Sequence, residues 1–363
     1  MTVRIGVVGG GTFGFNHLAA FNQRAAEGRA ELVALADLNE KLLAEREAYF
    51  GVKGYTDYRD MLDEEELDAV SIATPDHLHR EVALAALVAG KHVLVEKPLD
   101  VTEEGCREIE AAAHKHGRLL QVDFHKRYDA DHRHLAERIH SGDLGEILYG
   151  YVHMEDRIEV PSRWFPGWAA ESSPAWFLGI HFYDLVRWMI RDEAIRVSAT
   201  GWKQKLTSMG IETYDAIQSK VEFSRGASIT FDTAWILPDG FEAVVNQGVR
   251  LVGTEGCYSV DSQDRGTESC LTGEGMRTYN NHFIMKTKSK SGGDRYTGYG
   301  IESILDFADN LEFLAKGGSL DELEGRYPCG EDGLAATRIA VAVHRSAAEN
   351  RAIDLHQERE IRR

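Results

Sequence analysis

The stretch that most constrains this chain is residues 3–14, VRIGVVGGGTFG. Ile5, Val7 and Val8 make a short apolar run suited to a strand buried on both faces. Gly9, Gly11 and Gly14 follow in G-x-G-x-x-G spacing, and a helical pattern opens near Phe15. Gly9 lets the strand turn tightly, Gly11 lets a ligand approach the backbone, and Gly14 lets the new helix pack on the strand. Free backbone N–H groups and the positive end of the helix dipole then suit a pyrophosphate. The turn, with Thr12 and Phe13 between its last two glycines, is expected to hold a dinucleotide.

An acid follows at the right distance. Asp37 ends a second strand pattern, ELVALAD, 23 positions after Gly14. That spacing suits a carboxylate on the adenosine ribose hydroxyls. Leu38 and Asn39 come next, with no arginine or serine to hold a 2′-phosphate, so NAD is favoured over NADP. The alternative is that Asp37 caps the next helix.

Strand and helix patterns keep alternating through RLLQVDF, which predicts a doubly wound parallel sheet, a Rossmann domain, over residues 1–123. Ligands of such sheets sit at the carboxyl ends of the strands. That rule singles out Gly9–Gly14, Asp37, Thr74-Pro75, Glu96-Lys97-Pro98 and Asp123–Arg127. Lys97 has two readings. It is either a surface lysine paired with Glu96, or an amine beside a nicotinamide that takes part in proton transfer.

Composition narrows the partners. The formal net charge of −18 opposes binding to nucleic acid or anionic membranes. Cys106, Cys257, Cys270 and Cys329 form no CxxC pair and read as reduced thiols, not as a zinc site. No membrane-length apolar run and no signal-type segment stands out, so a cytoplasmic protein with no metal is expected.

Residues 124–363 predict a second domain, α+β, with an open-faced, mostly antiparallel sheet. Its strand-like runs include ILYGYVHMEDRIEV, AIQSKVEF, ASITFDTAWIL and VVNQGVRLVG, with hairpin turns at SRG 224–226 and TEG 254–256. One sheet face must be covered, partly by a second copy, so a homodimer or homotetramer through this sheet is expected. The histidines of the polar helix near residue 132 (His132, His134, His140) read as solvated surface. Trp164, Phe165, Trp168, Trp176 and Phe177 crowd one loop-to-helix entry, where aromatic faces can line a sugar pocket or simply belong to the core. The Gly-rich stretch 269–300 reads as a mobile loop, and the last residues, HQEREIRR, as a frayed tail.

GGGTFG, Asp37, TPDHLH at 74–79 and EKP at 96–98 together resemble the glucose–fructose oxidoreductase and inositol dehydrogenase (Gfo/Idh/MocA) family, and the resemblance extends into the second half. It implies that Lys97 lies beside the nicotinamide and the reacting carbinol, that Thr74 and Pro75 line the cofactor, and that Glu96 and His79 belong to the same site. GIHFYDL matches the family's catalytic helix, implying His181 as the proton donor or acceptor partnering Lys97. Asp184 shares its helical face. One position departs: many relatives carry aspartate four residues before that histidine, where this chain has Phe177. Arg157, Tyr183 and Asp123 are candidate replacements, and Arg157, Trp164 and Trp176 are candidate substrate contacts. The implied activity is NAD-dependent hydride transfer at a carbinol of a sugar or cyclitol. Two alternatives stand beside it: a transient-redox, glycosidase- or epimerase-like enzyme with retained NAD, and a nicotinamide-binding sensor.

Overall fold

The computed structural model describes residues 2–290 and 293–355, so the HQEREIRR segment lies outside the described residues. The chain divides into two compact units, Met1–Tyr128 with Phe283–Thr337, and Asp129–His282 with Arg338–Arg363.

The first unit opens with β1 (Val3–Val8), α1 (Thr12–Ala26), β2 (Ala30–Ala36), α2 (Glu40–Phe50), β3 (Lys53–Tyr55) and α3 (Tyr58–Glu64). It continues through β4 (Ala69–Ile72), α4 (His79–Val88), β5 (His92–Val95), α5 (Glu103–His116) and β6 (Leu120–Val122). Its sheet runs β3-β2-β1-β4-β5-β6, all parallel. Strand order reverses between β1 and β4, the switch point where such folds bind ligands. Ile5, Val7, Ile72 and Val95 are fully buried, as a sheet covered on both faces requires.

Local chemistry sets the helix ends. The Asn39 side chain accepts from Leu42 N–H and Thr102 from Gly105 N–H, capping α2 and α5. Both helices stop at a left-handed glycine, Gly51 and Gly117. Asn39, not Asp37, therefore caps α2. By contrast, α1 starts at Gly11 with no side-chain cap.

The second unit holds α6 (Ala130–His140), β7 (Ile147–Arg157), α7 (Ile180–Ile190), β8 (Ala194–Trp202), β9 (Ala216–Phe223), β10 (Ser228–Leu237), β11 (Val245–Gly253) and β12 (Cys257–Asp261). The sheet order is β12-β11-β7-β10-β9-β8, with the strand Ile353–Asp354 added beyond β8. Only β7 and β10 pair in parallel; the other pairs are antiparallel, with turns at 224–226 and 254–256. One face buries Val152, Met154, Ile229 and Phe231, while Tyr149 and Tyr151 on the other are 57% and 43% exposed. Strand periodicity of two produces this division.

Two sequence expectations change here. Residues 269–300 form two hairpins, Glu268–Leu271 with Gly275–Thr278 and Met285–Lys288 with Asp294–Thr297. Residues 283–337, expected in the second domain, belong to the first unit. The cause is packing: α8 (Tyr299–Ala315) sets Ile301, Ile304, Phe307, Ala308 and Leu311 in one core with Leu18 and Phe21 of α1. The helix Gly330–Glu349 crosses from one unit into the other at residue 338. Among the described residues no helix is long and apolar enough to cross a membrane.

Candidate active site

At the switch point, each glycine of the turn meets a different constraint. Gly9 has φ +95, its N–H donates to Ala36 O at 2.8 Å, and a Cβ there would lie 2.4 Å from Ala73 O. A Cβ on Gly14 would lie 1.9 Å from Gly9 O. A Cβ on Gly11 would have nothing within 4 Å, so this position faces open space at the start of α1. Asp37 fixes the turn: its Oδ2 accepts from Gly10 N–H at 2.7 Å and its Oδ1 from Asn39 N–H at 2.8 Å. Thr12 and Pro75 are exposed, and Phe13 is half-buried. Thr74 Oγ1 is buried with no hydrogen-bond partner among the described residues.

These features fit a dinucleotide. The Gly11 cradle and uncapped α1 would receive the pyrophosphate, Asp37 the ribose, and the Thr74 hydroxyl the remainder. Distance in sequence hid one neighbour of this turn. Arg46 of α2 donates from Nε to Gly10 O at 3.0 Å and lies 5.0 Å from the Phe15 ring centroid.

The end of β5 is tied down differently. Lys97 is only 6% exposed, which removes the surface-lysine reading. Glu96 Oε2 accepts the Lys97 backbone N–H at 3.2 Å, and Glu96 Oε1 lies 3.1 Å from His17 Nε2. His17 Nδ1 lies 2.7 Å from Ser71 Oγ, and Asp123 Oδ2 lies 3.7 Å from His17 Nε2. Burial alone would push Glu96 up, but the His17 bond and the charges of His17, Lys97 and His125 bring it down to about 2. Burial and the Glu96 charge push Asp123 up to about 7. Asp76, buried just after Pro75, is also raised by burial, opposed by Lys97 and His79. His17, Glu96 and Asp123 each offer one ligand-type atom within 4.8 Å of the others. The His17–Glu96 contact is itself at hydrogen-bond distance.

Sequence reasoning missed His17 and Asp76 and left Asp123 without a clear role. His17 carries a usable signal, a titratable residue beside Asn16 in the otherwise apolar run FGFNHLAAF, three positions after Gly14. Of the two readings of His79, cofactor contact or a structural hydrogen bond, its ring contacts fit the second. His79 is fully buried, with Nδ1 2.6 Å from Pro98 O and Nε2 2.9 Å from Thr74 O, so it braces two strand-end turns.

In the second unit, His181 is 4% exposed and Asp184 fully buried, both on α7. Two wide helical turns, Val160–Trp164 and Ala175–Gly179, precede this helix. Phe177 packs against Phe165, Trp168 and Trp235 at centroid distances of 5.7, 5.4 and 6.1 Å. Trp176 stacks on His344 at 5.3 Å, while Trp164 is 51% exposed. Arg157 pairs with Glu159 and donates to Asp239 O at 3.1 Å. Tyr183 is fully buried against Phe231, and burial raises its pKa. His132, expected at the surface, is fully buried with Nε2 2.8 Å from Ser262 Oγ, whereas the His134 side chain is 49% exposed. The polar sequence around His132 conceals an inward face of α6.

Comparison with known proteins agrees with this geometry. Residues 3–124 match the model of an oxidoreductase family with an NAD-binding Rossmann fold, and residues 132–259 match the GFO/IDH/MocA C-terminal domain. Inositol 2-dehydrogenase 3 of Saccharopolyspora erythraea is 34% identical over 214 residues, 58% of this chain and 60% of that protein. The chain thus aligns with less than two thirds of that relative's length. The uncharacterized oxidoreductase YrbE of Bacillus subtilis is 26% identical over 94% of both chains. The fold also superposes on a scyllo-inositol dehydrogenase of Lactobacillus casei, solved with NAD(H) and scyllo-inositol. There the TM-score is 0.77 at 20% identity, covering 98% of this chain and all of that one. The chain belongs to the Gfo/Idh/MocA family of oxidoreductases, and its residues 3–124 are that family's NAD-binding Rossmann domain.

Proposed function

We propose that this protein is an NAD-dependent dehydrogenase acting on a carbinol of a sugar, cyclitol or related polyol. The observation that carries the reading is the line-up at the carboxyl ends of β1, β4 and β5: an open Gly11 cradle, an unpartnered Thr74 hydroxyl and a buried Lys97. NAD, when bound, supplies the hydride acceptor. Asp37 favours NAD over NADP, because its carboxylate would repel a 2′-phosphate. Lys97 binds the substrate hydroxyl and takes its proton, and His181 is the second proton-handling group. Burial of both keeps bulk water from competing for those protons.

The test is to incubate purified protein with NAD+ and a panel of inositols, aldoses and glycosides. NADH absorbance and sugar products are followed together. Lys97→Ala should retain NAD+ binding and lose turnover by about a hundredfold or more, the usual scale for a proton-transfer group. Full turnover in that variant would remove Lys97 from the chemistry. Phe177 favours a second reading. Its ring sits in an aromatic cluster where many relatives carry a carboxylate, which suits a substrate handled by transient oxidation with NAD retained. A changed sugar without free NADH would select that reading.

The open sheet face supports a homodimer or homotetramer, since Tyr149 and Tyr151 are exposed beside Val252 and Arg250 on the neighbouring strand. Light scattering of wild type and Tyr151→Lys checks this; the variant should dissociate. Four free cysteines accord with a reducing, cytoplasmic setting.

A further inference from the structure

Beneath Lys97 lies a polar cluster that hydride transfer does not itself require. Ser71 and His17 are fully buried, Asp123 is 2% exposed and Glu96 is 6% exposed. They come from four different elements: β4, α1 and the ends of β6 and β5. The Asp123 backbone is fixed, with its N–H on Val95 O at 2.8 Å. Its carboxyl is buried in the same cluster as His17 and Glu96, with one ligand-type atom of each within 4.8 Å of the others. Two carboxylates in so dry a space repel strongly, and one retained proton removes that repulsion.

We propose that Asp123 is a positioning residue, which keeps a proton beside Glu96 so that Glu96 alone carries the charge and holds the Lys97 backbone N–H in place. The chain of contacts is short. His17 Nε2 meets Glu96 Oε1 at 3.1 Å, and Glu96 Oε2 accepts the Lys97 N–H at 3.2 Å. When Asp123 ionises, two carboxylates compete for His17, and the Glu96 bond to the Lys97 amide loosens. The charged and titratable groups facing the pair are His17 from α1, Lys97 from the β5 end and Asp76 from the turn before α4. His125 and Tyr128 face it from the segment after β6, and Ser303 from α8. Burial and the Glu96 charge oppose the ionised form of Asp123, while His17 favours it. The amide contact stands alone; its consequence for the reaction rests on the role proposed for Lys97.

Amide-resolved hydrogen exchange on the full chain without cofactor tests this. The Glu96 N–H, which donates to Ile72 O at 2.9 Å, is the internal reference one residue away. After correction for intrinsic rates, protection at Lys97 relative to Glu96 should fall about three- to tenfold between about pH 6 and about pH 8. Asp123→Asn should hold that ratio flat, and Asp123→Glu should restore the step. Asp123→Glu, which keeps a titratable carboxyl in the same place, carries the test should Asp123→Asn not fold. A residue that merely fills space would alter protection without a pH step. A flat wild-type ratio, an Asp123→Asn step equal to wild type, or a flat Asp123→Glu ratio overturns the proposal. NAD+ titration of the same samples separates the two ideas. A step at Lys97 without NAD+ binding would sink the cofactor reading and leave this one standing.

Discussion

The switch-point end of the first unit and the entry segment 158–181 of the second solve the same problem in opposite ways. In the proposed reading, each holds polar groups ready for a ligand inside a folded chain. At the switch point, backbone bonds do the holding: Gly9 to Ala36, Asp37 to Gly10, Glu96 to Lys97. In the entry segment, aromatic packing among Phe165, Trp168, Phe177 and Trp235 does it, and Trp168 Nε1 is left buried without a partner among the described residues. Backbone constraints demand particular residues at particular spacings. Packing constraints accept many residues of similar volume.

The sharpest way to break this comparison is within the glycine turn itself. Gly14→Ala would drive a Cβ to 1.9 Å from Gly9 O, which neither backbone can avoid. Its cost should exceed the usual ~1–3 kcal/mol of overpacking and show as a large drop in Tm. Gly11→Ala meets nothing within 4 Å, so its stability should stay within about 0.5 kcal/mol of wild type. NAD+ affinity should nevertheless fall in that variant, because the new methyl occupies the cradle. Unchanged affinity in Gly11→Ala would show that the open space is not where the pyrophosphate lies.

The packed region answers to a milder probe. Trp235 is fully buried, and its Nε1–H donates to Tyr214 O at 2.6 Å. Trp235→Phe keeps a ring in the cluster but leaves that carbonyl without its donor, which should cost about 1–3 kcal/mol by urea unfolding. NAD+ binding should be untouched. A loss of NAD+ affinity with stability preserved would mean that the two regions are energetically linked.

The same contrast explains what the sequence could reveal. G-x-G-x-x-G and Asp37 are legible because a tight turn, a close approach and a ribose contact each dictate a residue type at a fixed offset. His17, Glu96 and Asp123 are spread over more than a hundred positions and become neighbours only through the order of β4, β5 and β6 and the packing of α1. The apolar stripe of α8 shows that a face is buried but not what buries it, so its membership of the first unit was invisible. His132 was misread for a related reason: in a helix as polar as α6, charge density hides the inward face that His132 shares with Leu135 and Ala136.

The smallest expected slope, that of wild type, comes from two buried groups that tilt stability in opposite directions. Asp123 is pushed up to about 7 by burial and by Glu96. The folded protein therefore holds a proton that the unfolded chain, with a carboxyl near 4, has released. Its contribution declines as pH rises from about 4 to about 7 and is level above that. His92, where β5 begins, is pushed down to about 4 by burial and then by the Arg118 charge, and its Nδ1 accepts the Leu119 N–H at 2.9 Å. Below about 6.5 the unfolded chain takes up a proton that the folded His92 refuses, so stability declines as pH falls toward about 4. Glu96, held down to about 2, loses its contribution only at lower pH, as the medium falls from about 4 toward 2. Between about pH 4 and about pH 6.5 the Asp123 and His92 slopes oppose each other, and the wild-type melting curve should be shallow there. Asp123→Asn removes one slope, so its Tm should fall toward acid more steeply than wild type. His92→Asn removes the other, so its Tm should climb toward acid. Variant profiles that both run parallel to wild type would mean that neither group changes its proton affinity on folding, and the charge logic beneath Lys97 would have to be rebuilt from His17 alone.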